Sequence, residues 1–343
     1  MTADNLSKTV VSTRVRLARN LEGYPFPSHL KDEKQAKEII RLVSSGLSRV
    51  DGFNSPDEFR LYYMDAVSEE EALSLKENHL ISPKLIENRR YSAALINSDK
   101  SISIMLNEED HLREQCIVKG LELRPAYEAM SQIDARISAS MKFAFDEQFG
   151  YLTACPTNLG TGLRASVMFF LPALTINGVM PKMIRSISRL GLTVRGIYGE
   201  GSEAEGYMYQ ISNEVTLGVS EEEILSSVED VVRKVCALEE NERNVLKGGA
   251  SSLDLRDNCL RSYGILTNCV KLSTSELIKL AANVKLGACL GWISLADVSL
   301  IDDLVVKMRP SNITAAAQRQ LSAVERDMYR AEAVGKYLKK LIG

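Results

Sequence analysis

The segment CPTNLGTGLRASV, residues 155–167, combines a thiol, two turn-forming glycines and an arginine that enters an apolar run. Gly160, Gly162 and Ala165 fit the G-x-G-x-x-A pattern of dinucleotide-binding loops. Such a loop also needs an acidic residue about twenty positions later for the ribose, and this region instead carries Arg185. The dinucleotide interpretation therefore lacks the acidic residue that would bind the ribose. The chemistry of the segment depends on residues elsewhere in the chain.

A second group of polar residues lies near the start of the chain, in STRVRLARN, residues 12–20. Arg14 and Arg16 are two positions apart in a segment of extended character, so both side chains point to one face of a strand. Planar guanidinium groups bind phosphate oxygens with paired hydrogen bonds. The pair is therefore a candidate phosphate site.

Two acidic stretches follow predicted strands. They are NEEDHLR (107–113), with Glu108, Glu109, Asp110 and Arg113, and VRGIYGEGSEAEG (194–206), with Arg195, Glu200, Glu203 and Glu205. Each stretch alone is typical of a polar turn. Together with the arginines, they indicate a site where an anionic ligand meets a cationic one.

The composition is that of a soluble globular protein of 343 residues, with 45% hydrophobic and 25% charged residues. The net charge of −3 gives no basic excess of the kind that nucleic-acid binders show, so we expect no direct nucleic-acid partner. The sequence shows no signal peptide and no membrane span, and we expect a cytoplasmic protein. The six scattered cysteines predict no metal site or disulfide framework.

The elements that must position these residues are strands interleaved with helices. Strands are predicted at 59–64, 92–97, 101–107, 111–118, 191–199 and 207–218, and helices at 32–50, 124–146, 172–190 and 220–238. Ser220 with Glu223 and Ser273 with Glu276 form capping-box patterns. This arrangement predicts an α+β fold with a largely antiparallel sheet flanked by helices.

After residue 250 the pattern becomes helical to the end of the chain, including a final helix at 313–341. We therefore predict two domains, 1–250 for catalysis and an all-α domain at 251–343, divided near KGGASS (247–252).

The motifs STRVRLARN, NEEDHLR, CPTNLGTGLRASV and VRGIYGEGSEAEG followed by YQISN occur in that order over residues 12–215. In this order they resemble the phosphagen (guanidino) kinase family, in its bacterial protein-arginine kinase branch. The resemblance implies a glutamine-synthetase-like catalytic domain that uses ATP and Mg²⁺ and contains no resident metal.

The resemblance also implies roles for individual residues. It places the following at ATP: Ser12, Thr13, Arg14, Val15, Arg16, His79, Arg113, Arg164, Ala165, Ser166, Val167, Met168, Arg195, Gly196, Ile197, Tyr198, Gly199 and Glu200. It places the following at the acceptor guanidinium: Glu109, Glu203 and Cys155, with Glu108 and Glu200 beside them.

Phosphoryl transfer to arginine needs a base, because a guanidinium with a pKa above about 12 is not nucleophilic while protonated. We expect Glu109 to take the proton, Glu203 to be the second anchor and a Cys155 thiolate to orient the cation. Metabolite-using relatives carry an arginine where this chain has Tyr198, and we expect Arg195 to supply that charge.

Two features favour a protein acceptor over a metabolite. Small-molecule phosphagen kinases carry a helical domain ahead of the STRVR segment, which here begins at residue 12, so we expect an open acceptor pocket. RDMYRA, residues 326–331, matches a phosphoarginine-binding regulatory motif of the protein-arginine kinases, with Arg326, Asp327, Arg330 and Ala331. Arginines four apart on one helical face could grip a phosphate.

The resemblance implies that the products mark damaged proteins and a heat-shock repressor for a Clp protease, with a zinc-containing activator as a partner. We also expect a homodimer formed by the helices beyond residue 250. Two alternatives stay open, namely a kinase for free arginine or another guanidino metabolite, and a non-catalytic adaptor that binds phosphoarginine.

Overall fold

The computed structural model describes residues 3–48, 59–196 and 204–342. The strands in these ranges are Val10–Arg19 (β1), Phe59–Tyr63 (β2), Ala93–Asn97 (β3), Ile102–Leu106 (β4), Leu112–Lys119 (β5), Phe145–Asp146 (β6), Gly150–Tyr151 (β7), Leu163–Phe170 (β8), Leu192–Gly196 (β9) and Met208–Asn213 (β10). The helices up to residue 188 are Ala3–Thr9 (α1), Glu33–Ser48 (α2), Glu69–Glu77 (α3), Pro83–Glu87 (α4), Leu123–Ser138 (α5), Pro172–Ile176 (α6) and Met180–Ser188 (α7). The remaining helices are Glu221–Gly248 (α8), Ser252–Asn268 (α9), Thr274–Cys289 (α10), Ser299–Lys307 (α11), Pro310–Ala317 (α12) and Ala323–Ile342 (α13).

In the part of the chain that is described, eight strands form one sheet in the order β2-β3-β4-β5-β1-β8-β10-β9, and β6 and β7 form a separate hairpin. The pairs β2 with β3, β3 with β4, β4 with β5 and β5 with β1 are all antiparallel. The predicted α+β fold with an antiparallel sheet, flanking helices and a helical C-terminal region is therefore confirmed.

The chain divides by compactness into two units. The first comprises Met1–Val11, Val167–Ile211 and Asp230–Gly343, and the second comprises Ser12–Ser166 and Ser212–Glu229. The division passes through β1, β8 and β10. The predicted domains 1–250 and 251–343 stay a prediction, since compactness separates the chain along different lines.

The second unit contains an apolar cluster of buried residues from α3, α4 and β2–β4, among them Leu75, Leu85, Ala94 and Met105. Serine caps fix the starts of its helices. The Ser82 hydroxyl accepts a hydrogen bond from the Leu85 nitrogen at 3.1 Å, which satisfies one of the otherwise unbonded donors of a helix N-terminus.

The first unit is built around α9, α10 and α13, whose buried side chains include Leu266, Leu277, Val284, Val334 and Leu338. These helices carry apolar residues at helical spacing, so each helix buries one stripe of its surface against the others.

Both predicted helix starts are confirmed. Ser220 and Glu223 form the reciprocal box at α8, since the Ser220 nitrogen donates to Glu223 Oε2 at 2.7 Å and the Glu223 nitrogen donates to the Ser220 hydroxyl at 3.3 Å. At α10, the Ser273 hydroxyl accepts from the Glu276 nitrogen at 3.2 Å.

Three predicted helices were too long. The helix predicted over 124–146 ends at Ser138, and the following residues form the β6–β7 hairpin. The helix predicted over 172–190 is two helices, because Gly178 has φ +69°, a left-handed conformation that ends a helix.

The helix predicted over 313–341 is also two helices. Gln318 follows α12 with φ 52°, and α13 begins at Ala323. Glutamine is an ordinary helix former, so composition gave no signal for this break.

Within the described residues, no helix combines the length and the apolar character that crossing a membrane requires.

Candidate active site

Three neighbouring strands of the second unit carry the predicted phosphate-binding arginines. Arg14 and Arg16 alternate along β1, and the register pairs Ala18 of β1 with Arg113 of β5. Directly opposed residues of an antiparallel pair share a face of the sheet, so Arg113 lies on the same face as Arg14 and Arg16. Arg164 lies on β8, the other neighbour of β1.

The electrostatics show that these four arginines form one cluster. Burial, then the charges of Arg113 and Arg164, lower the pKa of Arg14 to about 10. Burial, then Arg14, Arg113 and Arg164, lower the pKa of Arg16 well below its usual value, opposed by Glu108. Cations that destabilise one another in this way are preorganised for a ligand with several negative charges.

Glu108 holds one of these arginines in place. Its carboxylate accepts hydrogen bonds from Arg113 Nη1 at 2.8 and 3.0 Å, from the Ser82 hydroxyl at 2.5 Å and from the Glu109 nitrogen at 3.1 Å. Burial acts to raise the pKa of Glu108, but the Arg113 charge and these hydrogen bonds outweigh it, so the pKa is lowered. Glu108 therefore stays ionised and orients Arg113, a role different from direct contact with an acceptor.

Glu109 has the opposite environment. Its side chain is 38% exposed, against 1% for Glu108. The Lys84 Nζ atom lies 3.7 Å from Glu109 Oε1, and both side chains face solvent. Of the two adjacent glutamates, Glu109 is the one that an incoming acceptor can reach.

Asp110 joins this turn to the loop that carries Cys155. Its Oδ1 atom accepts hydrogen bonds from the Ala154 nitrogen and from Asn20 Nδ2, both at 2.7 Å. The Thr153 hydroxyl donates to the Cys155 carbonyl at 2.8 Å. A single partly buried hydrogen bond, from Ala154 to Asp110, therefore joins the neighbour of Cys155 to the neighbour of Glu109.

Cys155 itself is half-buried. It directly precedes a short 3₁₀ turn, Pro156–Asn158, and its Sγ atom lies 3.0 Å from the Thr157 hydroxyl. The thiol is therefore held in a defined position by its own loop.

The glycine spacing of the opening motif has a steric cause. Gly162 has φ +65°, and a Cβ atom there would lie 2.6 Å from the Ala18 carbonyl oxygen. Gly160 has φ +108° and its backbone contacts that of Thr216 so closely that no Cβ would fit. Gly162 lets the loop pass against β1, and Gly160 lets it pass against the segment after β10. This is a different purpose from the nucleotide contact of a dinucleotide fingerprint.

Asn213 was not singled out in the sequence, although it ends the YQISN motif. Its Oδ1 atom accepts from the Ala165 nitrogen at 2.8 Å and its Nδ2 atom donates to the Leu163 carbonyl at 3.0 Å. It therefore fixes the start of β8 and the position of Arg164. A buried amide that bonds to the backbone leaves no pattern in a single sequence.

Several residues assigned to ATP lie on the other face of their strand. Thr13, Val15, Ala165 and Val167 are fully buried, and the Thr13 hydroxyl donates to the Gly120 carbonyl at 2.7 Å. Their side chains pack in the interior, so any contact with a nucleotide has to come from the backbone.

The remaining predicted nucleotide residues of the second unit differ in environment. Ser12 and His79 are half-buried, and His79 has φ 60° while its carbonyl accepts from Gln115 Nε2 at 2.6 Å. The buried Ser166 hydroxyl donates to the Arg14 carbonyl at 3.1 Å, so it ties β8 to β1.

Part of the predicted site lies in the first unit or outside the described residues. Met168 on β8 is half-buried, Arg195 near the end of β9 is exposed, and Gly196 is half-buried. The following predicted residues lie outside the described ranges: Ile197, Tyr198, Gly199, Glu200 and Glu203.

The RDMYRA motif lies on α13 in the first unit. Arg330 is 1% exposed, and its guanidinium donates to the carbonyls of Met308 and Leu272 at 2.8 and 2.7 Å and to Asp327 Oδ1 at 2.7 Å. Arg326 is half-buried and donates to the Leu321 carbonyl at 2.8 Å. We expected both arginines to grip a phosphate, but Arg330 is instead an internal anchor in this conformation. Ala331 is buried beside it.

Across residues 3–48, 59–196 and 204–342, no three His, Cys, Asp or Glu side chains lie together in a way that could hold a metal ion.

Comparisons with known proteins show which family this chain is similar to. Residues 38–242 match the family model of the ATP:guanido phosphotransferase C-terminal catalytic domain, and residues 252–342 match that of the protein-arginine kinase McsB C-terminal domain. A protein-arginine kinase of Symbiobacterium thermophilum is 42% identical over 95% of this chain and 92% of its own length. One of Caldanaerobacter subterraneus subsp. tengcongensis is 42% identical over 96% of this chain and 97% of its own.

Solved structures of two kinases are also similar to this chain. A lombricine kinase has a TM-score of 0.59 and 27% identity, covering 68% of this chain and 67% of its own. The duplicated taurocyamine kinase of Schistosoma mansoni with bound transition state analog components has a TM-score of 0.64 and 28% identity, covering 81% of this chain and 40% of its own. The chain therefore belongs to the ATP:guanido phosphotransferase family, in its protein-arginine kinase branch.

Proposed function

We propose that this enzyme transfers the γ-phosphoryl group of ATP to a guanidino nitrogen of arginine residues in proteins. The observation that carries the proposal is the cluster of Arg14, Arg16, Arg113 and Arg164, in which Arg113 bonds to Glu108 and the next residue, Glu109, has a partly exposed carboxylate. The relatives that are similar over nearly the whole chain are named protein-arginine kinases, which favours an arginine in a protein as the acceptor.

The arginine cluster is suited to the donor. The transferring phosphoryl group spreads charge over its oxygens, and catalysis is mainly positioning and neutralisation of that charge. Arg113, fixed by Glu108, and the pair Arg14 and Arg16 offer rigid donors on one face of the sheet. Mg²⁺ would bridge the ATP phosphates and be held mostly by phosphate oxygens and water.

The acceptor nitrogen has to lose a proton as it forms its bond to phosphorus. Glu109 accepts that proton, the nitrogen lone pair forms the N–P bond, and the bond from the γ-phosphorus to the bridging oxygen breaks, leaving ADP. Cys155 orients the guanidinium from the adjoining loop. Glu203, which lies outside the described residues, is the proposed second anchor.

Incubation with γ-labelled ATP, Mg²⁺ and casein tests the assignment. Glu109→Gln should lower the rate of labelling by about 10²–10⁴-fold, the usual contribution of a positioned base. Glu128→Gln, at an exposed glutamate on α5, should leave it unchanged. Full activity of Glu109→Gln, or a product that is an acid-stable phosphohydroxyl, would contradict the proposal. Transfer to free arginine without labelling of casein would identify a metabolite kinase.

We further propose the cellular role that the family resemblance implies. In this role the enzyme is cytoplasmic, acts with a zinc-containing activator, and marks damaged proteins and a heat-shock repressor for a Clp protease. The C-terminal helices would form a homodimer, and exposed apolar side chains on α9, such as Leu253 and Leu260, support such a partner surface. Sedimentation of the wild type beside Leu253→Ser and Leu260→Ser tests the dimer.

We also propose regulation by phosphoarginine at α13. Arg326 and Asp327, which are partly exposed, are the accessible charged groups of the motif, and a guanidinium could pair with the Asp327 carboxylate. Asp327→Ala should abolish activation by added phosphoarginine. Lys336→Ala removes an exposed charge from the same helix and should retain the activation. An unchanged response of Asp327→Ala would remove this proposal.

A further inference from the structure

An open groove of about 350 Å³ lies in the second unit, and none of the four clustered arginines lines it. Its lining includes Phe145, Phe149, Tyr151, Leu217, Val219 and Glu221. Phe145 is 58% exposed, Phe149 43% and Leu217 45%. Large apolar side chains grouped on one exposed surface are typical of a binding site. Binding of ATP at the arginine cluster does not explain this apolar groove.

The floor of the groove is made from the loop that carries Cys155. Tyr151 and Gly160 exchange backbone hydrogen bonds at 2.8 and 3.3 Å, and the Thr161 nitrogen donates to the Thr216 carbonyl at 3.0 Å. The Thr216 hydroxyl donates to the Leu159 carbonyl at 2.7 Å. Because these bonds leave the loop little freedom, the groove and the thiol are held at a fixed separation, with only a few residues of chain between them.

The hairpin that forms one wall is also ordered. Asp146 Oδ1 accepts hydrogen bonds from the nitrogens of Gln148 and Phe149 at 2.8 and 3.0 Å. Phe145 packs edge-on against Tyr151, with ring centroids 5.2 Å apart. The hairpin backbone and the Phe145 ring are therefore held in place, so this ring loses little entropy when a ligand covers it.

The charge around the groove selects the ligand. Glu221 lines the groove, and Asp146, Glu147 and Glu214 lie close to lining residues in sequence. The basic residues nearby are Lys142, close to Phe145 in sequence, and the buried Arg19, whose guanidinium lies 3.6 Å from the Tyr151 ring centroid and is neutralised by Asp134. An apolar surface with an acidic border is complementary to a chain that is both apolar and cationic, and it disfavours a nucleotide or another anion.

We propose that this groove binds an apolar side chain that lies close to the target arginine in an unfolded polypeptide. The inference rests on the proposed function and gives it a specificity. A folded protein buries its large apolar side chains, so a kinase that needs an apolar residue beside an arginine prefers unfolded substrates.

Two arginine peptides of identical length test the proposal, one with leucines near the arginine and one with serines in their place. For the wild type, KM should be lower for the leucine peptide. The double variant Phe149→Ser with Leu217→Ser should raise KM for the leucine peptide about tenfold, the effect of losing roughly one buried apolar side chain, and leave KM for the serine peptide and for ATP unchanged. Leu42→Ser removes an exposed leucine from α2 and should change neither.

The other results overturn the proposal in distinguishable ways. Equal KM values for the two peptides in the wild type exclude an apolar subsite while leaving arginine transfer intact. No transfer to either peptide refutes the proposed function as well. Loss of self-association in the double variant with unchanged KM values assigns the groove to contact with a second copy of the chain.

Discussion

The Oδ1 atom of Asp110 lies 2.7 Å from the backbone nitrogen of Ala154. This partly buried hydrogen bond joins the turn that follows Glu109 to the loop that presents Cys155. The positions of two groups assigned to the acceptor therefore depend on the carboxylate of Asp110.

Asp110→Ala should lower kcat about 10–100-fold while leaving KM for ATP nearly unchanged, since small displacements of an acceptor site are costly and the arginine cluster is not disturbed. Asp110→Asn keeps an oxygen at the Oδ1 position and should retain most of the activity. Steady-state rates at varied ATP and varied acceptor separate the two effects. Equal losses in both variants would show that the carboxylate charge, and not the hydrogen bond, is what matters.

Arg16 should lower the stability of the free protein while it improves the binding of ATP. Its half-buried side chain lies among the like charges of Arg14, Arg113 and Arg164, and its buried Nε atom has no hydrogen-bond partner among the described residues. Arg16→Gln removes this desolvated cation, so we expect the free protein to become more stable by about 1 kcal/mol and KM for ATP to rise at least tenfold.

Thermal unfolding with and without ATP and Mg²⁺ measures both parts of this expectation, because a ligand stabilises the state that binds it. Arg60→Gln removes an exposed arginine of β2 that stacks on Tyr62 and is the matched control. A loss of stability in free Arg16→Gln would mean that the arginine cluster supports the fold rather than opposing it.

Local patterns predicted much of this structure from the sequence. The alternating strands around residues 93–119 and the serine caps at Ser220 and Ser273 were predictable because period and capping are local properties. The two-residue spacing of Arg14 and Arg16 placed them on one face.

Contacts between elements that are distant in sequence left no local signal. Nothing near Arg330 in sequence indicates that it donates to Leu272 and Met308, which lie 58 and 22 positions away. The difference between Glu108 and Glu109 is likewise invisible locally, because it arises from Ser82 and Arg113 on other elements.

Glu114 makes the stability of the protein depend on pH, and no local sequence pattern indicates this. It lies fully buried on β5, and burial, followed by the charge of Asp134, raises its pKa well above the usual value, opposed by Arg19. Asp134 is the partner that Arg19 holds, with Nη2 2.9 Å from Oδ2. Glu114 is therefore the carboxyl group that keeps its proton.

A raised pKa in the folded state means that stability from Glu114 is complete below the unfolded pKa and is lost as the pH rises towards the folded pKa. Glu114→Gln carries no such penalty, so its stability relative to the wild type should increase above pH 4.5 by about 1.4 kcal/mol per pH unit. Urea unfolding at several pH values measures it. A difference that does not vary with pH would contradict the protonated state of Glu114.

His111 should make stability rise with pH, which is opposite to the effect of Glu114. The Leu21 nitrogen donates to His111 Nδ1 at 3.0 Å, and the Pro25 carbonyl lies 2.9 Å from Nε2, so the ring is neutral with its proton on Nε2. Burial lowers the pKa of His111 to about 4, although the bond to Pro25 acts to raise it. In the unfolded chain the imidazole takes up its proton near pH 6.5, about 2.5 pH units above the pKa of the folded state.

The unfolded state therefore binds more protons between pH 6.5 and about 4, and stability should fall across this window by up to about 3 kcal/mol as the pH decreases. His111→Gln should be less stable than the wild type at pH 7.5, because it loses one of two buried hydrogen bonds, yet it should lose less stability on going to pH 5. His29→Gln removes an exposed histidine and should keep the wild-type slope. If His111→Gln and the wild type lose equal stability between pH 7.5 and 5, groups other than His111 cause the acid sensitivity. The neutral imidazole with its two hydrogen bonds would then not be the cause.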